Sequence, residues 1–202
     1  MKAESTRAVG HFLTAARAEF DTYLDGLDLT ALDAAVRLIH QAQDRGGRVH
    51  VTGIGKPGHV SGYAASLLSS TGTPTYFLHG TEAVHGSCGQ LVAGDVVICI
   101  SNSGETAELK ATVLAVRNNG CKIIGVTGNP DSWLAGQSDV HLFAGVKDEG
   151  GPLNRAPRNS ILAETLMLQA LSVALQADCG QTPQQYVRCH PGGKLGEIRK
   201  GE

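Results

Sequence analysis

The hexapeptide SNSGET at residues 101–106 combines short hydroxyl side chains with a glycine, the residue types that bind a phosphate group. It follows the apolar run 96–100, which is typical of a buried strand, and precedes a segment with helical periodicity. The first turn of a helix has N–H groups without intrahelical partners, and its dipole favours an anion. We therefore predict a phosphate-binding loop, with an ordinary helix N-cap as the alternative. The predicted phosphate contacts are Ser101, Asn102, Ser103, Gly104 and Thr106.

Two acidic residues, Glu105 and Glu108, lie at the predicted helix start. The helix dipole alone favours acids in a first turn. A carboxylate beside a bound sugar phosphate is also what proton transfer at carbon requires. A spacing of three residues puts the two side chains on the same side of a helix, so either could face the site. Glu105 and Glu108 are therefore both candidates for contact with a bound sugar phosphate.

The glycine-rich turn GIGKPG at residues 53–58 has the outline of a dinucleotide-binding fingerprint but lacks its third glycine. No acidic residue ends the next predicted strand to bind a ribose, and the spacing of a Walker A loop is absent. We interpret the turn as one that brings Lys56 toward the ligand, with Gly55 as a further substrate contact. A Lys ammonium neutralises a phosphate or a developing oxyanion, and the alternative is a solvated lysine at a helix start.

The segment HGTEAVH places His79, Glu82 and His85 within seven residues, which suggests a metal site. It is not an HExxH motif, and no third ligand is evident, so we predict no metal. His85 is a catalytic candidate, with a hydrogen-bonded loop histidine as the alternative, and His79 is a predicted substrate contact. His50 alternates within the first apolar run and is expected to pack or to lie on the surface rather than to react.

Two further segments carry little signal by themselves. The polar turn 147–153, which contains Glu149, follows the fifth apolar run and would be a solvated loop. His190 lies in the tail motif HPGG, where an isolated histidine has no chemical context.

The elements that must position these residues alternate along the chain. Two amphipathic helices open it, at about residues 5–24 and 28–45, and a glycine pair ends the second. Runs rich in Val and Ile without polar alternation indicate strands covered on both faces, at 49–52, 75–78, 96–100, 123–126 and 140–143. Helical segments are predicted at 58–70, 83–90, 107–118, 132–137 and 160–177. This order predicts an α/β fold, a doubly wound, five-stranded, mostly parallel sheet flanked by helices.

The polar clusters follow the predicted strands, where ligands sit in open parallel sheets. We therefore predict a single site at the carboxyl edge of the sheet. With 202 residues, one domain is expected: N-terminal helices at about 1–46, a sheet-and-helix core at about 47–180 and a tail at 181–202.

The composition of the chain argues against several classes of function. A hydrophobic content of 42% with 18% charged residues is typical of a globular protein. A net charge of −2 gives no general attraction to nucleic acid or to an anionic membrane. The five cysteines form no CxxC pair, which favours reduced thiols in a cytoplasm. The N-terminus lacks the pattern of a signal peptide, and we expect no run of membrane-spanning length.

Several motifs together resemble the sugar isomerase (SIS) domain of bacterial arabinose-5-phosphate isomerases. They are TGIGKPGHV, STGTPTYFLHGTEAVHG, SNSGETAELK, VTGNPDSWLAGQSDVHL, the PL…AP spacing of residues 152–157, and HPGGKLG. The resemblance runs from about Gly47 to Gly196, in the family's order.

The resemblance implies interconversion of D-ribulose 5-phosphate and D-arabinose 5-phosphate through a cis-enediol, for lipopolysaccharide or capsule biosynthesis. It implies no cofactor and a homotetramer with sites shared between subunits. The positions that match the family's catalytic site are Lys56, His85, Glu108, Glu149 and His190, and the SNSGET loop takes the phosphate. Which carboxylate is the base stays open, as do another sugar-phosphate substrate and a non-catalytic, sugar-phosphate-sensing role.

The chain departs from the family pattern in three places. Family members usually carry two CBS repeats after this domain, whereas this sequence stops at Glu202, so we expect a stand-alone form. Pro57 stands where Ser is usual, which removes a hydroxyl and an N–H. Arg158 and Asn159 replace small hydroxyl residues, and this change bears on substrate choice.

Overall fold

A five-stranded parallel sheet forms the centre of the computed structural model, which describes residues 1–201. The strands run in the order β2-β1-β3-β4-β5, and every neighbouring pair is parallel. Their bounds are β1 Val49–Gly53, β2 Thr75–Phe77, β3 Val96–Ile100, β4 Lys122–Thr127 and β5 Val140–Phe143. The predicted α/β class and all five predicted strands are confirmed.

Helices cover both faces of the sheet. They are α1 Ala3–Asp25, α2 Leu29–Gln43, α3 Lys56–Ser70, α4 Ala107–Asn118, α5 Trp133–Gln137, α6 Asn159–Cys179 and α7 Pro183–Cys189. Helices α2, α3 and α6 enclose one apolar cluster with the strands, and α4 encloses a second on the opposite face. Apolar residues on both sides of the strands explain why Val and Ile run without alternation.

Two predictions about local structure need correction. The segment at 83–90 is two short 3₁₀ helices, Glu82–His85 and Ser87–Gln90, separated by Gly86 in a left-handed conformation. The predicted tail 181–202 contains α7, which the sequence analysis did not predict. Thr182 caps α7 in a capping box with Gln185, a signal that was readable in the sequence. Glu202, the last residue of that tail, lies outside the described residues.

Helix α6 has the length and composition of a membrane span, contrary to our expectation that no run would reach that length. Its buried side chains join the main apolar cluster, and it packs along α3. A core helix of a globular protein meets the same length and composition criteria, so this finding is weak support for a membrane segment.

Helix α1 reaches the loop that follows β5. The Glu19 carboxylate accepts the N–H groups of Lys147 and Asp148 at 3.0 and 2.9 Å. Phe12 packs so closely against Gly150 that a Cβ there would lie 2.8 Å from the phenylalanine ring.

His50 packs inside the fold, as expected. It is buried in β1, and its Nε2 lies 3.0 Å from an Asp95 carboxylate oxygen. The buried Asp95 side chain also accepts N–H groups from Arg48 and Val92. All five cysteines, each within the described part of the chain, are free thiols.

Candidate functional site

The sheet reverses its winding direction between β1 and β3, because the chain goes from β1 outward to β2 and then returns to the other side of β1. Such a switch point opens a crevice at the carboxyl ends of the strands. The SNSGET loop and the turn around Lys56 lie on the two sides of this crevice. The predicted position of the site therefore agrees with the observed topology.

The hydroxyls of the SNSGET loop shape the loop itself. The buried Ser101 Oγ accepts the N–H of Gly104 at 3.1 Å and lies 3.2 Å from Thr106 Oγ1. Ser103 Oγ accepts the N–H of Glu105 at 3.2 Å. Thr106 is the N-cap of α4 but makes no side-chain cap hydrogen bond. The N–H groups of the first turn of α4 are therefore left for an incoming anion.

Gly104 allows the loop to lie against the segment before α5. Its φ of +66° is a left-handed conformation, which glycine adopts without strain. A Cβ at this position would overlap the side chain of Ser132. The Gly104 carbonyl accepts the N–H of Leu134 at 3.1 Å. The loop is thus fixed on the side that contacts Ser132 and α5, and its open side faces the crevice.

Glu105 supports the loop from outside. Its carboxylate accepts hydrogen bonds from Lys110 Nζ at 2.5 Å and from the Trp133 N–H at 2.7 Å. The hydrogen bond from Lys110 and that from Trp133 lower the pKa of Glu105. Each carboxylate oxygen therefore has one partner and keeps acceptor capacity for the predicted substrate contact. Glu108 is exposed on the first turn of α4, one turn from the phosphate loop.

The turn after β1 presents Lys56 at the start of α3. Gly55 is the N-cap, with φ +66° and ψ −128°, and Lys56 is exposed. A cavity of about 300 Å³ adjoins this turn and is lined by Gly55, His59, Phe77 and His79, among others. Glycine and imidazole groups therefore border one concave surface beside the switch point, and Lys56 is the residue that follows its Gly55.

The histidines of the HGTEAVH segment differ in their environments. His79 Nδ1 accepts the N–H of Glu82 at 3.3 Å and lies 3.1 Å from Thr81 Oγ1. This arrangement leaves Nε2 as the protonated, donating nitrogen. His85 is exposed at the end of its 3₁₀ helix. Within residues 1–201, no group of three or more His, Cys, Asp or Glu side chains is arranged to hold a metal ion.

Glu149 is half-buried at the carboxyl edge and contacts the start of α6. One of its carboxylate oxygens accepts the N–H groups of Arg158 and Ser160, at 2.5 and 3.2 Å. Its own N–H donates to Asn154 Oδ1 at 2.6 Å. The carboxylate position is therefore fixed by the backbone of two segments, which suits a group that must be oriented toward a reacting carbon.

Glu164 is a residue that the sequence analysis missed. It is fully buried on α6, and neither of its carboxyl oxygens has a hydrogen-bond partner. Burial, and secondarily the charge of Glu149, raise the pKa of Glu164 to about 8. The signal in the sequence was an acid at helical spacing between Ser160 and Leu168, inside an otherwise apolar stripe.

His190 is not close to the other candidates within one chain. It follows α7, where its ring stacks on Tyr186 at 4.1 Å and its Nδ1–H donates to the Tyr186 carbonyl at 3.0 Å. The adjacent Cys189 lines a cavity with residues at the end of α3, Ser69, Gly72 and Pro74.

Lys56 lies at the opposite end of that helix. With 15 residues, α3 is about 22 Å long at the usual rise per residue. One chain therefore brings Lys56, Glu149 and the SNSGET loop to the carboxyl edge of the sheet. It leaves His190 near the opposite edge, where the strands begin.

Comparisons with known proteins relate this chain to others by sequence and by fold. The SIS domain family matches residues 43–174. The arabinose 5-phosphate isomerase KdsD of Pseudomonas aeruginosa PAO1 is 44% identical over 150 residues, which are 74% of this chain and 46% of that protein. KdsD of Escherichia coli K12 is 43% identical over the same shares. The chain thus spans about half the length of the curated relatives it matches.

Solved structures share the fold over nearly the whole chain. The structure of c3406 from E. coli CFT073 in complex with arabinose 5-phosphate has a TM-score of 0.86 and 32% identity, and the match covers 95% of this chain and 100% of that one. A phosphoheptose isomerase from Francisella tularensis has a TM-score of 0.71 at 16% identity, over 88% of this chain and 100% of that one. The second likeness concerns the fold alone.

Proposed function

Because the chain belongs to the SIS domain family, we propose that it is an aldose–ketose isomerase that interconverts D-ribulose 5-phosphate and D-arabinose 5-phosphate. The similarity to KdsD proteins and to a structure that contains arabinose 5-phosphate supports this choice of substrate. The single observation that carries the proposal is the convergence of a lysine, a phosphate loop and a half-buried carboxylate at one edge of the sheet.

The phosphate end of the substrate binds the SNSGET loop. The first-turn N–H groups of α4 and the hydroxyl of Ser103 donate to the phosphate oxygens, while Ser101 and Thr106 keep the loop in shape. This contact holds the sugar chain so that its carbonyl end extends across the switch point toward Lys56.

Proton transfer between the two carbons needs one carboxylate base. In our proposal, Glu149 removes the proton from C1 of the ketose, and the electron pair forms the C1–C2 double bond of a cis-enediol. Glu149 then returns the proton to C2. Lys56 and a histidine stabilise the developing negative charge on oxygen and move the hydroxyl proton between O1 and O2. His85 or His190 also assists opening of the sugar ring.

Isotope incorporation tests this proposal directly. Purified protein is incubated with ribulose 5-phosphate in deuterated water, and the products are followed by NMR. We expect arabinose 5-phosphate with deuterium at C2. A ketohexose 6-phosphate in a parallel reaction tests another isomerase activity. Tight binding with neither arabinose 5-phosphate nor deuterium at C2 would instead show a sensing module and would contradict the proposed function.

We also propose a cytoplasmic homotetramer with active sites shared between subunits. The separation of His190 from Lys56 within one chain supports shared sites. The outer surface of α6 supports an interface, since Leu162 and Val173 are 43% and 67% exposed beside the 44% exposed Tyr63 of α3. Apolar side chains on a continuous surface are typical of contacts between identical subunits.

Subunit complementation tests the shared site. We expect Lys56→Ala and His190→Ala each to be nearly inactive when purified alone. When the two variants are co-expressed, paired subunits re-form one intact site per mixed pair, so random pairing restores about a quarter of the wild-type activity. The control is the double variant, which carries both changes in one chain and is expressed alone. Failure of the mixture to exceed either single variant would show that each site is complete within one subunit.

A further inference from the structure

Four buried polar atoms without partners lie in the first two turns of α6. They are Asn159 Oδ1, Ser160 Oγ and both carboxyl oxygens of Glu164. Such atoms are costly in a folded protein and are concentrated at functional positions. Glu164 is the most costly of them, because a carboxylate loses the most hydration on burial.

The position of Glu164 connects it to the candidate site. Helices α3 and α6 pack side by side in the same direction, since Tyr63 contacts Gln169 and Thr71 contacts Ser172. Both helices begin at the carboxyl edge of the sheet. Glu164 lies five residues, or about 7.5 Å, below the start of α6, directly beneath the segment that binds the Glu149 carboxylate.

The charge of Glu149 acts on the buried Glu164 carboxyl group. The negative charge of Glu149 is the second cause, after burial, that raises the pKa of Glu164. The other titratable groups that neighbouring elements carry near this end of α6 are Lys56 and His59 on α3, His11 and Glu19 on α1, and Asp148 in the loop after β5. Helix α2 carries His40, which lies 3.9 Å from Asp178 near the other end of α6.

We propose that Glu164 is a positioning residue for Glu149: it stays a neutral acid beneath the start of α6, so that no second negative charge lies below the carboxylate that acts as the base. Two nearby carboxylates do not both ionise without a large cost, and the buried member keeps the proton. This inference rests on the proposed role of Glu149 as the base. Ionisation of Glu164 would place a second negative charge below the site and oppose formation of the enediolate.

The effect of Glu149 on the protonation of Glu164 can be tested without a measurement of enzyme activity. Infrared spectra of the full chain, recorded across a pH series, detect protonated carboxyl groups. We expect a protonated carboxyl band at pH 7 that disappears around pH 8 in the wild type and is absent from Glu164→Gln. In Glu149→Gln the neighbouring negative charge is gone, so the band should disappear at a lower pH. Glu4→Gln, which removes an exposed acid, is the control and should keep the wild-type band.

Kinetics then test the positioning role. With ribulose 5-phosphate, kcat of the wild type should fall about tenfold between pH 7 and pH 9, because the neutral form of Glu164 falls to about a tenth of the molecules. Glu164→Gln, which cannot ionise, should lose this alkaline decline. Glu164→Ala should lower kcat more than Glu164→Gln does, since glutamine restores the shape and neutrality of the acid. Melting curves at each pH identify loss of activity that comes from unfolding.

Each outcome decides one point. A missing band at pH 7, or an equal titration in Glu149→Gln, would overturn the effect of Glu149 on Glu164 and with it the inference. An alkaline decline that persists in Glu164→Gln would overturn the positioning role. An absence of isomerisation at any pH would contradict the proposed function, while the infrared series would still decide whether Glu164 is the neutral partner of Glu149.

Discussion

Replacement of Glu149 with glutamine is expected to lower kcat for ribulose 5-phosphate about 1000-fold and to change KM less than about threefold. The amide keeps an oxygen that accepts the N–H groups of Arg158 and Ser160, so the start of α6 should keep its structure. It cannot take a proton from carbon. Substrate binding, which depends on the phosphate loop, should therefore remain while turnover is lost. Steady-state kinetics and calorimetric titration with arabinose 5-phosphate measure the two effects separately.

Glu108→Gln is the matched variant, because Glu108 is the other carboxylate that the sequence offered as a base. It is exposed on α4, whereas Glu149 is half-buried and held by backbone donors. We expect Glu108→Gln to lower kcat less than about tenfold. A loss of turnover in Glu108→Gln that equals or exceeds the loss in Glu149→Gln would assign the base to Glu108 instead.

Substitution of Gly104 by alanine should disrupt the phosphate loop. A φ of +66° disfavours alanine by about 1 kcal/mol, and its Cβ would overlap Ser132. The loop must therefore move away from the segment before α5. We expect the free energy of unfolding to fall by about 2–4 kcal/mol and the Kd for arabinose 5-phosphate to rise about 100-fold. Denaturant unfolding and calorimetry provide both values.

Gly136 offers the matched control for that substitution. It lies in α5, and a Cβ there would contact nothing within 4 Å. Gly136→Ala should therefore be neutral or slightly stabilising, with an unchanged Kd. In Gly104→Ala combined with Ser132→Gly, the overlap is removed but the strained φ remains, so stability should be recovered only in part. Full affinity in Gly104→Ala alone would show that the loop does not hold the phosphate.

Much of the fold was predictable because its signals are local. The apolar runs that became β1 to β5 are short and lack polar alternation, which only a sheet covered on both faces explains. The polar clusters follow these strands directly in the sequence. They mark the carboxyl edge, because ligands sit at the carboxyl ends of the strands in an open parallel sheet. The SIS family was likewise predictable from motifs in a fixed order, and the match to residues 43–174 confirms it.

The parts that escaped prediction depend on tertiary contacts. The sequence analysis assigned no role to Glu164, because its burial arises from the packing of α6 against the other helices, above all α3. The place of His190 depends on the direction in which the tail returns after Gly180, which has a left-handed conformation. Helix α7 is different, because its capping box was present in the sequence and was overlooked.

The contact between α1 and the loop after β5 has a practical consequence for anyone who alters the N-terminus. Glu19 fixes two backbone amides immediately before Glu149, about 130 positions away along the chain. A chain shortened through α1 should therefore keep its sheet and the SNSGET loop but lose the anchor of the carboxylate that we propose as the base. The first helix, which is remote from the candidate site in sequence, is therefore a structural support of that site and not an extension that can be trimmed.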